Sequence, residues 1–188
     1  MKGKFILIVG PSAVGKTELV RALVERIPRS ARLVTTTTRL RRDNERDGVD
    51  YFFTDRATFE EGIAAGDFFE YADVYGNWYG SSKKVLEDFR NRFEYVFAVV
   101  DVQGADTIRR QVPDVFTIFI RPDSMDSLKE RLARRKAKLM PGELEKRLET
   151  ITHELALAPT FDATIDNVDG AFENTVAATL RALGLKSI

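Results

Sequence analysis

A chain of 188 residues, 44% hydrophobic and 31% charged, can close one core and carry inserted lobes but is too short for two ordinary domains with a linker. Its 29 Lys and Arg balance 29 Asp and Glu, so no global field recruits nucleic acid or an anionic membrane, and neither is expected as a partner. Cysteine is absent, which removes a disulfide framework, a thiol nucleophile and a zinc–thiolate site. No run approaches the roughly 18 apolar residues of a membrane span and no signal-peptide pattern opens the chain, so a cytoplasmic location is expected.

Phe5-Ile6-Leu7-Ile8-Val9 is a continuous apolar run, the pattern of a strand buried on both faces of a parallel sheet. It feeds into Gly10-Pro11-Ser12-Ala13-Val14-Gly15-Lys16-Thr17, which fits the phosphate-binding pattern G-x-x-x-x-G-K-[ST] at every fixed position. Leu19, Leu23 and Ile27 then recur at helical spacing until Pro28. Strand, glycine-rich loop and helix thus follow in the order that lets backbone N–H groups and a helix dipole surround a polyphosphate. In that geometry Lys16 reaches the outer phosphates and the Thr17 hydroxyl ligates Mg²⁺.

The β-branched stretch Leu33–Thr38 predicts a strand running into the charged, aperiodic segment Arg39–Gly48. Arg39, Arg41 and Arg42 beside a hydroxyl-rich strand end, about ten residues before Tyr51, suit a phosphate monoester; a solvated loop is the alternative. Tyr51–Phe53 reads as a short strand, and Thr54 as the cap of a helix with Phe59 and Ile63 that stops at Gly66. Phe68–Tyr75 reads as an edge strand, and Gly76–Ser82, with the only Trp, as a turn segment. So many aromatic, acidic and hydroxyl groups suit a pocket that stacks a flat base and reads its edge.

Ser82 opens a helix through Leu86 and Phe89, and Tyr95–Val100 is a second buried strand ending in Asp101. An acid at that strand end lies where open α/β sheets bind ligands and where phosphate-loop proteins orient Mg²⁺. Gln103-Gly104-Ala105 opens the next helix, and Phe116–Ile120 is a third strand. Ser124 caps a helix with Leu128 and Leu132 and a strongly basic outer face. Met140-Pro141-Gly142 then breaks the pattern before a helix with Leu144, Leu148, Ile151 and Leu155. This hairpin is either solvated or a lid whose arginines close over phosphates. His153, alone of its type, is assigned no chemistry. Ala163–Asp166 is a last strand, with Asn167 at its end, before a helix through Val176, Leu180 and Leu183.

Together these residues resemble the guanylate kinases, phosphate-loop kinases that transfer a phosphoryl group from ATP to GMP. The resemblance rests on the Gly-Pro-Ser-x-x-Gly-Lys loop, on Thr37-Thr38-Arg39 with Arg42, on Asp47-Gly48-Val49-Asp50-Tyr51, on Phe69-Glu70 and on Tyr79-Gly80-Ser81. It implies that Arg39, Arg42, Tyr51 and Tyr79 hold the GMP phosphate, and that Glu70, Thr35 and Ser81 read guanine, with Asp101 also on the GMP side. Guanine presents adjacent N1–H and N2–H₂ donors that one carboxylate accepts together. The resemblance further implies ATP on Gly10, Pro11, Ser12, Ala13, Val14, Gly15, Lys16 and Thr17 with Asn167 near its base, Mg²⁺ on Thr17 and Asp101, and catalytic charge from Lys16, Arg39, Arg135 and Arg147. Arg131 is a further lid candidate. The chain departs from the family at Val99, where an acid is usual, and in the basic and apolar lid stretch Lys136–Gly142.

The expected fold is α/β: a P-loop NTPase core with a parallel sheet flanked by helices, an inserted small mixed α+β lobe that binds the nucleoside monophosphate, and a helical lid. As a single domain it divides into core 1–33, 83–122 and 151–188, lobe 34–82 and lid 123–150. The expected partners are ATP and GMP, with dGMP as a candidate acceptor, in a monomer or homodimer. Two other readings stand beside it: a kinase of another small phosphorylated acceptor such as ribose 1,5-bisphosphate, and a phosphopeptide-binding module on the same scaffold.

Overall fold

The computed structural model describes residues 2–43, 45–74, 76–135 and 143–186. β1 (Lys4–Val9) forms as its composition predicts, with Phe5 to Val9 wholly buried. A strand apolar at every position has no face to give to water, so both faces must be covered. α1 (Lys16–Arg26) turns Leu19, Val20, Ala22 and Leu23 inward and ends at Ile27, whose extended backbone is what a following proline demands.

The remaining elements are β2 (Ser30–Arg32), β3 (Thr36–Thr37), β4 (Phe52–Phe53), α2 (Arg56–Ala65), β5 (Phe68–Val74), β6 (Asn77–Ser82), α3 (Lys83–Arg92), β7 (Tyr95–Val99), α4 (Val102–Gln111), β8 (Phe116–Pro122), α5 (Met125–Arg135), α6 (Glu143–Ala156), β9 (Ala163–Asn167) and α7 (Phe172–Ala182). One sheet has the order β2-β7-β1-β8-β9, with parallel pairing of β2 to β7, β1 to β8 and β8 to β9. Strands joined through helices give the parallel α/β arrangement expected of the core. A second sheet has the order β4-β3-β6-β5; β3 pairs in parallel with β4, and β6 pairs antiparallel with β3 and β5. That is the mixed lobe expected between the first helix and Ser82.

By its contacts the chain forms two compact units. One takes in Met1–Phe5, Arg29–Ala98 and Asp106–Val115; the other takes in Ile6–Pro28, Val99–Ala105 and Phe116–Ile188. In the second unit Asp162 joins neighbouring strands, its Oδ2 accepting from the N–H and the hydroxyl of fully buried Thr117 at 2.8 and 2.6 Å. α5 and α6 share a small apolar cluster of Leu128, Leu132 and Ile151, against which Ala13, Leu148 and Leu155 pack. No helix among the described residues is long and apolar enough to cross a membrane.

Three local expectations are corrected. The predicted strand Leu33–Thr38 is divided between two sheets: the Leu33 N–H still donates to the Phe97 carbonyl beside β2, whereas Thr36 and Thr37 pair with Gly80 and Tyr79 of β6. Gly76–Ser82 is not a turn segment, because Asn77–Ser82 is strand β6 with partners on both sides. Its Gly, Asn and Ser content favours turns in isolation, but ladder hydrogen bonds and cross-strand contacts outweigh that propensity. Gly80 is required there, since a Cβ would come within 2.9 Å of both the Phe59 and Phe68 rings. Finally, α2 is capped by Asp55 rather than Thr54, its carboxylate accepting the Thr58 N–H at 2.8 Å. The helix stops at Gly66, whose φ of 72° lies in the left-handed region.

The core of the lobe is aromatic. Phe59 of α2 is 1% exposed and stacks on Phe68 at 4.4 Å between ring centroids, with the rings 15° from parallel. Phe59→Ala is expected to destabilise the protein by about 3–5 kcal/mol in urea unfolding; a loss below about 1 kcal/mol would show that this cluster does not hold the lobe.

Candidate functional site

The phosphate loop leaves β1 at Gly10, where φ is 138° and a Cβ would overlap the Ile120 carbonyl oxygen. Only glycine allows that approach. Ala13 (φ 65°) and Gly15 (φ 95°) carry the other left-handed turns of the loop, and Gly15 stands at the N-cap of α1 with no side chain closing the helix end. A helix end of that kind, with its N–H groups and the positive end of its dipole facing outward, suits an anion. The Lys16 ammonium donates to the carbonyl oxygens of Gly10 and, at 2.8 Å, Pro11, curling over the loop. Ser12 and Thr17 are exposed, Pro11 and Val14 buried.

A cavity of about 370 Å³ opens beside the loop, lined among others by Ala13, Gly15, Arg131, Asn167 and Phe172. Asn167 is only 7% exposed: its Nδ2 donates to the Val14 carbonyl at 2.8 Å and its Oδ1 accepts from the Thr175 hydroxyl at 2.9 Å. Arg131 donates to Asp169 at 2.6 Å and to the Asn167 carbonyl at 3.3 Å, so its charge is already paired at the end of β9. Asp101 is exposed just before α4 and caps it, Oδ1 accepting the Gly104 N–H at 2.7 Å. Sequence reading passed over Glu154 of α6. Burial raises its carboxyl above the usual carboxylate range, opposed by the charge of Lys16 and reinforced by that of Asp101. Only its place one residue from the apolar position Leu155 could have hinted at this.

In the other unit the arginine segment is ordered by an internal carboxylate. Arg39 Nη2 donates to Glu45 Oε1 at 2.6 Å, and the Arg42 N–H donates to Oε2 of the same residue at 2.9 Å. The Arg39 guanidinium lies over the rings of Tyr51 at 5.3 Å and Phe53 at 5.8 Å, and the neighbouring Glu45 and, less, Tyr79 hold its pKa above the ordinary arginine value. Tyr51 and Tyr79 meet edge to face at 5.9 Å. Three of the four residues expected at a phosphate, Arg39, Tyr51 and Tyr79, are therefore brought together, while the Arg42 side chain is exposed and its N–H donates to Glu45. Glu45 was not singled out from the sequence, where it was one charge among many.

Glu70 and Ser81 are cross-strand partners on β5 and β6, and the Ser81 hydroxyl donates to Glu70 Oε1 at 2.7 Å. Ser81 is 5% exposed and Glu70 half-buried. Residues two apart on a strand point to the same face, so Tyr79 and Ser81 lie side by side on one face of β6. Thr35, also half-buried, precedes β3, and its carbonyl accepts the Phe52 N–H. Arg135 falls in α5 and Arg147 in α6, but their side chains and the lid residues 136–142 lie outside the described residues. His153 is exposed on α6.

The hydrogen bond from Arg39, helped by the Arg42 N–H, holds the Glu45 carboxyl below its ordinary range. A carboxyl depressed by folding contributes stability above its unfolded pKa and loses it as pH falls through the folded value. Glu45→Gln is accordingly expected to melt below the parent at about pH 7, with the gap closing towards about pH 3. A gap that stays constant over that range would mean that the Arg39–Glu45 pair does not act through charge.

The family model "Guanylate kinase" matches residues 2–183. A guanylate kinase of Symbiobacterium thermophilum is 38% identical over 182 residues, covering 97% of this chain and 84% of that protein. One of Thiobacillus denitrificans is 38% identical over 179 residues, covering 94% and 85%. The crystal structure of guanylate kinase from Anaplasma phagocytophilum superposes with a TM-score of 0.65 at 30% identity, covering 99% of this chain and 88% of that one. With a family model matching nearly its whole length and relatives at 38% identity along most of both chains, this chain belongs to the guanylate kinase family.

Proposed function

We propose that the chain transfers the γ-phosphoryl group of ATP to GMP, giving ADP and GDP. The observation that carries the reading is the Glu70–Ser81 pair beside Tyr79 on one face of β6: a carboxylate oriented by a hydroxyl suits the two adjacent donors of guanine, next to a cluster suited to the phosphate. On this reading Gly10 to Thr17 hold the triphosphate, Arg39, Arg42, Tyr51 and Tyr79 hold the acceptor phosphate, and Thr35, Glu70 and Ser81 hold the base. The lobe is residues 34–82, the lid 123–150 and the core the remainder, with dGMP as a second acceptor.

The transfer asks for little covalent chemistry. An oxygen of the GMP phosphate attacks the γ-phosphorus, and the bond to the β,γ-bridging oxygen breaks, leaving its electron pair on ADP. The acceptor oxygen is already anionic, so no general base is needed, and catalysis is positioning and charge neutralisation. Lys16 exchanges its Gly10 and Pro11 carbonyl partners for phosphate oxygens, and Arg39 exchanges the Glu45 carboxylate for the acceptor phosphate or holds both. Arg135 and Arg147 close the charge balance from the lid. The donor set suits Mg²⁺: the exposed Thr17 hydroxyl and the Asp101 carboxylate, which spends one oxygen on its helix cap, would offer it hard oxygen ligands. When bound, the ion neutralises charge on the phosphates.

ADP production with ATP and Mg²⁺ is expected with GMP and dGMP and not with AMP, UMP, CMP or ribose 1,5-bisphosphate. Lys16→Ala should lower kcat by about two orders of magnitude or more, and Glu70→Ala should chiefly raise the KM for GMP. Turnover with another acceptor alone, or phosphopeptide binding without turnover, would overturn the reading.

A further inference from the structure

Asn167 stands at the end of β9 with both ends of its carboxamide engaged: Nδ2 donates to the Val14 carbonyl at 2.8 Å, and Oδ1 accepts from Thr175, itself 1% exposed, at 2.9 Å. A carbonyl oxygen can only accept, so the Val14 contact fixes which end of the amide is NH₂. The fit is close enough that a Cβ on Gly15 would lie 2.6 Å from Nδ2. Across a planar trans peptide the C=O of one residue and the N–H of the next point in opposite directions. Holding the Val14 carbonyl on Asn167 therefore turns the Gly15 N–H to the other side of the loop, the side free of Asn167.

We infer that Asn167 is a positioning residue for the triphosphate: it fixes the Val14–Gly15 peptide so that the Gly15 N–H is presented to the phosphates, and it does not read the adenine base. The inference rests on the reading that ATP occupies the loop. It departs from the expectation that this asparagine lies near the base for contact, because both ends of the amide are already held by protein partners and the residue is only 7% exposed. Arg131 of α5 donates to the Asn167 carbonyl, so the first lid helix is tied to the same residue that holds the loop. Thr175 keeps the amide from rotating.

The two roles separate when the base is removed from the ligand. Calorimetric binding of Mg²⁺–ATP and of inorganic tripolyphosphate is compared for the parent, Asn167→Asp, Asn167→Ala and Thr175→Val, with melting temperatures recorded. Asn167→Asp keeps the size and the Thr175 bond but sets a carboxylate oxygen against the Val14 carbonyl. It and Asn167→Ala are expected to weaken ATP and tripolyphosphate by the same factor, on the order of tenfold or more, with the KM for GMP unchanged. Thr175→Val, which leaves the amide in place without its restraint, is expected to weaken both ligands in parallel but less, and stands in if the Asn167 variants do not fold. Weakened ATP with unchanged tripolyphosphate would assign Asn167 to the base and overturn the inference, as would a lower melting temperature with both affinities unchanged. A parent protein that binds neither ligand would instead remove the triphosphate from the loop, and the inference with it.

Discussion

An anion can be held by main-chain N–H groups only if several consecutive peptides turn the same way, and the chain resists that turn. Non-glycine residues avoid left-handed backbone, and a Cβ blocks the close approach of loop to sheet. The loop meets the constraint with Gly10 against Ile120, Gly15 against Asn167, and the single left-handed alanine, Ala13, whose side chain packs on the α5–α6 cluster. The buried strand that delivers the loop, the helix that begins with Lys16 and the asparagine that holds a loop carbonyl are all arranged around those few peptides. Strained backbone persists where its surroundings over-determine it, and here the surroundings include Phe5 to Val9 of β1 and Ile120 of β8, all wholly buried.

The second organising device is local charge in a protein with none overall. Arginines placed close together repel one another and must be kept from collapsing onto unrelated partners. Glu45 answers both needs: it binds the Arg39 guanidinium and the Arg42 N–H with its two oxygens while aromatic rings cover the guanidinium face. Each of those contacts leaves further guanidinium N–H groups for a ligand, because the fork has five donors. Lys16 is held in a comparable way by loop carbonyls, and Arg131 by Asp169. These cations thus rest on acceptors of the protein itself, which sets their geometry in advance.

Legibility from sequence followed the range of the interactions involved. The buried strands, the phosphate loop, the helix stopped by Pro28 and the end of α2 at Gly66 are decided by neighbours within a few residues, where periodicity and glycine or proline chemistry are read directly. β6 was misread because its residues are strand-forming only when β3 and β5 lie on either side. The stretch from Leu33 to Thr38 was misread because a uniform β-branched run gives no sign of where one sheet ends and another begins.

The site divides along the same line. Sequence by itself determined the residue types and their order: a glycine-rich loop ending in Lys16 and Thr17, an arginine pair ahead of Tyr51, a glutamate and a serine in adjoining segments. Those are carried by covalent spacing. What only tertiary structure decided is which of those groups is already occupied and by whom: that Glu45 serves the arginines, that Ser81 orients Glu70, that Glu154 lies within reach of the charges on Lys16 and Asp101, and that both ends of the Asn167 amide are spent inside the protein. These depend on pairings between residues as much as 153 positions apart, and the free energy of a buried polar group is set by the partner it meets, which no local pattern encodes.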